Sequence, residues 1–137
     1  MSGTQGSKPV CAPISVGELV DKITILQIKE ARIADAAKHA NVARELAVLT
    51  ALASEVLHFD DEGLRTVEEL RRVNRQLWDV EDEIRDCERR KDFGKRFIEL
   101  ARSVYRHNDY RAKMKNRLNE LTGSDLVEEK SYTSYDS

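Results

Sequence analysis

Proline and glycine are scarce in this chain of 137 residues, which contains two prolines and six glycines. Half of these eight residues fall within the first thirteen positions, as Gly3, Gly6, Pro9 and Pro13. Proline breaks helices because it lacks an N–H donor, and glycine weakens them through its backbone entropy. Their scarcity after position 13 predicts long helices, and residues 1–13 are predicted to form a flexible leader.

Cysteine is nearly absent as well, with Cys11 in the leader and Cys87 in a predicted helix. Two such residues in unlike contexts exclude a disulfide framework and a cysteine-based zinc site. His39, His58 and His107 are scattered and lack the spacing of metal ligands. The sequence therefore predicts free thiols and neither a metal nor a cofactor.

Long hydrophobic runs are missing, and none approaches the roughly 20 residues of a membrane-spanning helix. Residues 1–13 have no apolar centre of the kind found in signal peptides. The formal net charge of −2 provides no general attraction to nucleic acid or to an anionic membrane. We expect a cytoplasmic protein with neither a membrane nor a nucleic acid as its partner.

Helix-start signals divide the first half of the chain. Ser15 followed by Glu18 forms a capping box, which predicts a helix to about residue 34. A second apolar stripe runs over about 36–57, out of phase with the first, so a turn near Asp35 is predicted, with its carboxylate as a cap. A single kinked helix over both segments is the alternative.

The second half of the chain is predicted to contain two more helices. Residues 58–63 are predicted to be a loop, 64–91 a third helix, 92–94 a turn and 95–121 a fourth helix, with Gly123 as its stop signal. The predicted fold class is all-α: an antiparallel bundle of four helices, or three if the first two are continuous, over 14–123. Residues 124–137 form a C-terminal tail, predicted to dock partly on the bundle.

The first helix is apolar on two sides. One face carries Val16, Leu19, Val20, Ile23 and Leu26. Ile25 and Ile28 lie on the opposite face, so this helix is either central in the bundle or shared between subunits. In the second case Ile25 and Ile28 would form an exposed apolar patch, and we expect a homodimer.

The fourth helix interrupts its own apolar stripe. Its first half places Phe97, Leu100, Ala101 and Val104 toward a core. The positions that continue this stripe are Asn108, Arg111 and Lys115.

An unpaired buried charge costs several kcal/mol, so three explanations stay open for this polar stripe. The helix end could protrude into solvent. A buried ion-pair network could join the stripe to acids such as Asp21 or Glu81, with Asn74 and Tyr105 as hydrogen-bond partners. Alternatively, the stripe could line a pocket in which Arg111 binds an anionic ligand.

A second polar row lies on the third helix, where Asn74, Trp78, Glu81 and Arg85 follow one another at helical spacing. A tryptophan beside a carboxylate and a guanidinium can stack on a sugar while the polar groups bind its hydroxyls. A single tryptophan on a bundle helix is more commonly part of a core or of a subunit interface.

Four segments resemble a family of small, uncharacterised bacterial proteins with a domain of unknown function. They are PISVGELVDKITIL at 13–26, LWDVEDEIR at 77–85, FIELARSVY at 97–105 with Asn108 and Asp109, and EEKSY at 128–132. The resemblance implies that the polar positions and the tail belong to a common pattern, so that the tail docks. Related domains sometimes accompany glycosyltransferase or tetratricopeptide modules, which implies a link to surface-carbohydrate metabolism.

The first helix also resembles, more weakly, that of the helical chorismate mutases. Asp21, Leu26, Lys29, Arg32 and Lys38 fall at loosely similar intervals. The arginine expected at the start of that helix is missing, and the later catalytic pattern has no clear match.

We therefore predict a binding or interaction module with a polar cationic pocket for a small anionic or sugar-like ligand. The alternatives are a small mutase-like enzyme and a structural partner of a glycosyltransferase, and no catalytic residue is assigned. The predicted site, with the tail residues Lys130 and Tyr132 closing it, comprises Asn74, Trp78, Glu81, Arg85, Arg102, Tyr105, Asn108, Arg111, Lys130 and Tyr132.

Overall fold

Four α-helices form the regular structure of the computed structural model, which describes residues 8–135. They are α1 (Val16–Arg32), α2 (Ala36–Val56), α3 (Asp61–Arg89) and α4 (Lys95–Thr122). No strand occurs within 8–135, and the predicted all-α bundle of four helices is confirmed. Residues 8–14 have no regular secondary structure and are exposed, while the first seven residues of the predicted leader lie outside the described part.

Both predicted caps are present, Ser15 at the start of α1 and Asp35 between α1 and α2. The Ser15 hydroxyl accepts a hydrogen bond from the backbone N–H of Glu18 at 3.1 Å. The Asp35 carboxylate accepts one from the N–H of Lys38 at 2.9 Å, at the start of α2. Each cap satisfies a donor that has no partner inside its helix. The alternative of one kinked helix is therefore wrong.

The boundaries of α3 and α4 differ slightly from the prediction. α3 begins at Asp61 because Asp60 caps it, accepting from the N–H of Gly63 at 2.8 Å. Half of the loop predicted at 58–63 is thus helical. α4 ends at Thr122, and Gly123 adopts the left-handed conformation with φ 66° and ψ 36°, as its stop signal predicts.

The central element is α1, which packs against α2, α3 and α4. Ile28 is buried and Ile25 is half-buried within the chain. The prediction of an exposed patch at these two residues is wrong, because both lie in a cleft between α1, α3 and α4. Unlike α1, helix α2 packs against one helix only.

Helices α3 and α4 run antiparallel, as ion pairs at both ends indicate. Glu83 pairs with Arg96 at 2.9 Å, and Glu62 near the start of α3 pairs with Arg117 near the end of α4. The main core lies toward the Arg117 end and contains Val20, Leu70, Val73, Met114 and Leu118. The predicted burial of Ala101 is wrong, because this residue lies on the exposed face of α4.

Gly17 allows α1 and α4 to approach unusually closely. A Cβ atom at this position would lie 2.3 Å from the carbonyl oxygen of Lys115. The Gly17 N–H donates to the side-chain oxygen Oδ1 of Asn119 at 2.7 Å, which joins the backbone of α1 to α4. This contact places the polar half of α4 against the first half of α1. Within the described residues, none of the four helices is long and apolar enough to traverse a lipid bilayer.

Candidate ligand-binding site

The polar stripe of α4 is held by a buried carboxylate on α1. Asp21 is 1% exposed and receives two bonds from Arg111, Nε to Oδ1 at 2.9 Å and Nη2 to Oδ2 at 2.5 Å. Asn74 donates to the same Oδ1 and to the hydroxyl of Thr24, each at 2.9 Å. Two-point contact with a carboxylate is the geometry for which a guanidinium is best suited.

This arrangement decides between the explanations of the stripe. The hypothesis of a buried ion-pair network is confirmed, with Asp21 as the acid and Asn74 as its hydrogen-bond partner. The hypothesis that the helix end protrudes into solvent is wrong. The other proposed acid, Glu81, is instead 2.7 Å from Arg85, one turn further along α3.

Lys115 forms the second half of the network. It is 5% exposed, and its Nζ lies 2.8 Å from Glu18 and 3.2 Å from Glu128. Burial lowers the pKa of this ammonium, but Glu18, Asp21 and Glu128 outweigh that effect and the pKa is raised overall. Because Glu128 lies in the tail, this ion pair also docks the tail on the bundle.

The pKa of Arg111 is raised, so this guanidinium keeps its proton more strongly than an ordinary arginine does. The hydrogen bonds that Arg111 donates to Asp21 are the main cause of its raised pKa, and burial opposes them. Its Nη1 makes one longer bond, 3.3 Å to Asn108 Oδ1. These contacts leave part of the donor set of the guanidinium unused.

A cavity of about 500 Å³ opens beside this network, between α1, α3 and α4. Its apolar wall is formed by Ile25, Ile28, Leu77 and Trp78. Its polar wall is formed by Lys29, Asn74, Glu81, Asp82, Arg85, Asn108 and Arg111. An apolar wall with a few convergent polar groups is typical of small-molecule sites.

Six of the ten predicted site residues line this cavity. They are Asn74, Trp78, Glu81, Arg85, Asn108 and Arg111. The first four belong to the row on α3, because spacings of four, three and four residues bring side chains to one face of a helix. The last two belong to the polar stripe of α4, which the antiparallel packing sets opposite that row.

The other four predicted residues lie elsewhere. Lys130 lines a smaller cavity of about 180 Å³, which shares Asn108 and Arg111 with the larger one. The ring of Tyr105 packs 4.9 Å from that of Tyr135, and Arg102 and Tyr132 are exposed.

The prediction that Lys130 and Tyr132 close the larger cavity is therefore wrong. The ion pair between Glu128 and Lys115 docks the tail where Lys130 lines the smaller cavity, and no tail residue lines the cavity that contains Trp78. Tyr132 is 80% exposed there, and the ammonium of Lys130 lies 5.3 Å from the centre of its ring.

Two charged residues of the cavity are absent from the predicted site. Lys29 enters the sequence argument only through the resemblance to chorismate mutases, and Asp82 adjoins the predicted row. Neither forms an ion pair within residues 8–135, whereas Glu81 and Arg85 neutralise each other. The sequence does contain a signal for the position of Lys29. It lies one helical turn after Ile25, on the second apolar face of α1, and could have been assigned to the same site.

The apolar wall depends on the placement of the only tryptophan. The guanidinium carbon of Arg32 lies 5.9 Å from the centre of the Trp78 ring, and Arg32 in turn pairs with Asp79 at 2.5 Å. A cation over an aromatic face within about 6 Å is attracted to it. Trp78 is thus held by α1 from one side while it lines the cavity.

A second, smaller cavity adjoins the first through Ile28. It has a volume of about 370 Å³ and is lined by Arg32, Arg71 and Arg75. Burial, and then the charge of Arg75, lower the pKa of Arg71. Among residues 8–135, no group of three histidine, cysteine, aspartate or glutamate side chains is placed to hold a metal ion.

The fold and the cavity define a class of protein: a small all-α bundle with an amphipathic pocket beside a buried ion-pair network. Residues 10–137 match a family of unknown function, DUF6165, and the chain belongs to that family. No curated protein and no solved structure matches the chain.

Proposed function

We propose that this chain is a binding module and that the cavity between α1, α3 and α4 holds a small anionic ligand with a sugar-like body. The observation that carries this proposal is the convergence of an unpaired cation, Lys29, with the apolar Trp78 and the polar row of α3 on one cavity. A carboxylate or a phosphate on a small polyol is the ligand chemistry that suits these groups together.

Lys29 is the group best suited to the ligand's negative charge. The charge of Arg111 is already balanced by Asp21, but its remaining N–H groups can still donate to the same anion. A lysine without an ion-pair partner inside the described chain loses no existing pair when it binds an anion.

The opposite wall suits hydroxyl groups. Glu81 and Asp82 supply carboxylate acceptors, and Arg85 and Asn74 supply donors. Such a mixture of acceptors and donors binds polyols, while the ring of Trp78 packs against the carbon face of a sugar. A ligand with both a charge and hydroxyl groups would use both walls.

The fluorescence of Trp78 provides the test, because it is the only tryptophan. We would titrate the protein with glucuronate and glucose 1-phosphate, and with glucose and inorganic phosphate as partial ligands. A saturable change is expected with the first two probes. It should be at least about tenfold weaker in Lys29→Gln, since a hydrogen bond to a charged group contributes roughly 1.5–3 kcal/mol.

Lys22→Gln is the matched control, because Lys22 is exposed on the same helix and lines none of the cavities described above. Both variants should melt at the temperature of the parent chain. The proposal fails if neither charged sugar gives a saturable change, or if Lys29→Gln and Lys22→Gln bind equally well. Nothing in residues 8–135 favours the mutase-like alternative, and the link to surface-carbohydrate metabolism stays a prediction.

A further inference from the structure

Helix α2 combines an apolar composition with a lack of burial. Thirteen of its 21 residues are alanine, valine or leucine, yet none of the 21 is buried. Helices α1, α3 and α4 each bury at least six residues. An amphipathic helix normally gains its stability by burying its apolar face, so α2 as it stands exposes surface that a partner would cover.

One face of α2 is already used by α1. Val42, Leu46, Leu49 and Ala53 are half-buried there, and α2 packs against no other helix. A second apolar stripe lies about 90° around the helix. It consists of Val48, Leu52 and Val56, whose exposures are 61%, 44% and 57%.

Two of the charges on this face, Arg44 and Glu55, are arranged for self-association, and a third, Glu45, lies between Leu52 and Val56 on the helical wheel. Arg44 and Glu55 lie on the same edge of the stripe, about 20° apart on the helical wheel. Arg44 donates to Asn41 at 2.9 Å within α2, and Glu55 has no ion-pair partner within the described residues. One edge thus carries a cation near the middle of the helix and an anion near its C-terminal end.

We infer that α2 joins two copies of this chain as an antiparallel pair around a two-fold axis near positions 49 and 50. In that register Arg44 faces Glu55 of the partner subunit. The same register brings Val48 against Leu52 of the partner subunit. A parallel pair would instead place this edge on opposite sides of the interface in the two copies, so Arg44 and Glu55 would not face each other across it.

The dimer would contain two α1–α2 hairpins packed side by side. Antiparallel helices at this contact form the four-helix arrangement that is common in bundles. A self-complementary surface of this kind is what a two-fold interface requires, since each residue meets the same patch on the partner. The cavity proposed above contains no residue of α2, so each proposal can fail without the other.

Sedimentation velocity between about 1 and 100 µM protein tests the interface. The parent chain should sediment as a dimer, and Leu52→Lys should sediment as a monomer with unchanged far-ultraviolet circular dichroism. Ile98→Lys is the matched control, because Ile98 is 53% exposed on α4 and outside the stripe, and it should stay dimeric.

The charge pair tests the direction of the helices. Arg44→Glu alone and Glu55→Arg alone should each raise the dimer dissociation constant about tenfold, because each change affects both symmetry-related pairs. The double variant Arg44→Glu/Glu55→Arg should restore it to within about threefold of the parent. A monomeric parent chain, a dimer that survives Leu52→Lys, or a double variant no better than the single ones would overturn the inference.

Discussion

Replacing Arg111 by methionine should lower the stability of the chain, because it leaves a buried carboxylate without its ionic partner. Methionine keeps an unbranched apolar stem but removes the charge, so Asp21, which is 1% exposed, would keep only its bond from Asn74. Removing one partner of a buried ion pair costs about 3–5 kcal/mol. Because the Arg111 side chain is 29% exposed, water can partly replace it, and we expect about 3 kcal/mol.

Urea unfolding followed by circular dichroism would measure this loss. For a domain of this size, 3 kcal/mol corresponds to a fall of roughly 10 °C in the melting temperature. Arg106→Met is the control, since Arg106 is exposed on the same helix, and its stability should stay within about 0.5 kcal/mol of the parent.

A double variant separates the buried charge from simple packing. Asp21→Asn removes the charge that Arg111→Met leaves without a partner. The double variant should therefore be more stable, by more than about 1 kcal/mol, than the sum of the two single losses implies. An Arg111→Met protein as stable as the parent, or two losses that simply add, would refute the view that this pair is a buried, coupled unit.

Two further results are expected from the contacts around the network. Gly17→Ala should lower the free energy of unfolding in urea by about 2 kcal/mol or more, because the new Cβ would lie 2.3 Å from a backbone oxygen that cannot rotate away. In Gly94→Ala, the control, the new Cβ would lie 3.3 Å from its nearest atom, and the loss should be less than half as large. Because the pKa of Lys115 is raised in the folded chain, its charge should stabilise the fold fully at a pH below 10.5, the ordinary pKa of lysine. This contribution should disappear as the pH rises through the higher pKa of the folded state. Unfolding midpoints between pH 9 and 12 should thus fall less steeply in Lys115→Gln than in the parent, and equal slopes would contradict the assignment.

The parts of the fold that depend on local sequence were predictable. Ser15, Asp35 and Gly123 act within three or four residues of their own position, so their roles follow from the order of residues alone. The start of α3 was also set by a local signal, the cap at Asp60, but the prediction missed it. Asp61 and Glu62, which follow this cap, were assigned to the loop although they form the first turn of the helix.

The candidate site was predictable in part. The row on α3 and the stripe on α4 are each defined by helical spacing, and antiparallel packing is sufficient to set them opposite each other. By contrast, the partners of Lys115 are 97 residues before it and 13 residues after it, and no local pattern joins them. The misplacement of Lys130 and Tyr132 followed from missing the pair between Glu128 and Lys115.

The sequence by itself determined the helical segments, the caps at Ser15, Asp35 and Gly123, and the faces on which most apolar and polar side chains lie. These properties repeat every 3.6 residues or depend only on neighbours in the chain. Only the tertiary structure decided which charges are buried and which surfaces stay uncovered. Arg111 is neutralised by Asp21 while Lys29 is left unpaired, and α2 is exposed although it is rich in alanine and leucine. Burial and pairing depend on which helices come into contact, and that is a property of the whole packed chain.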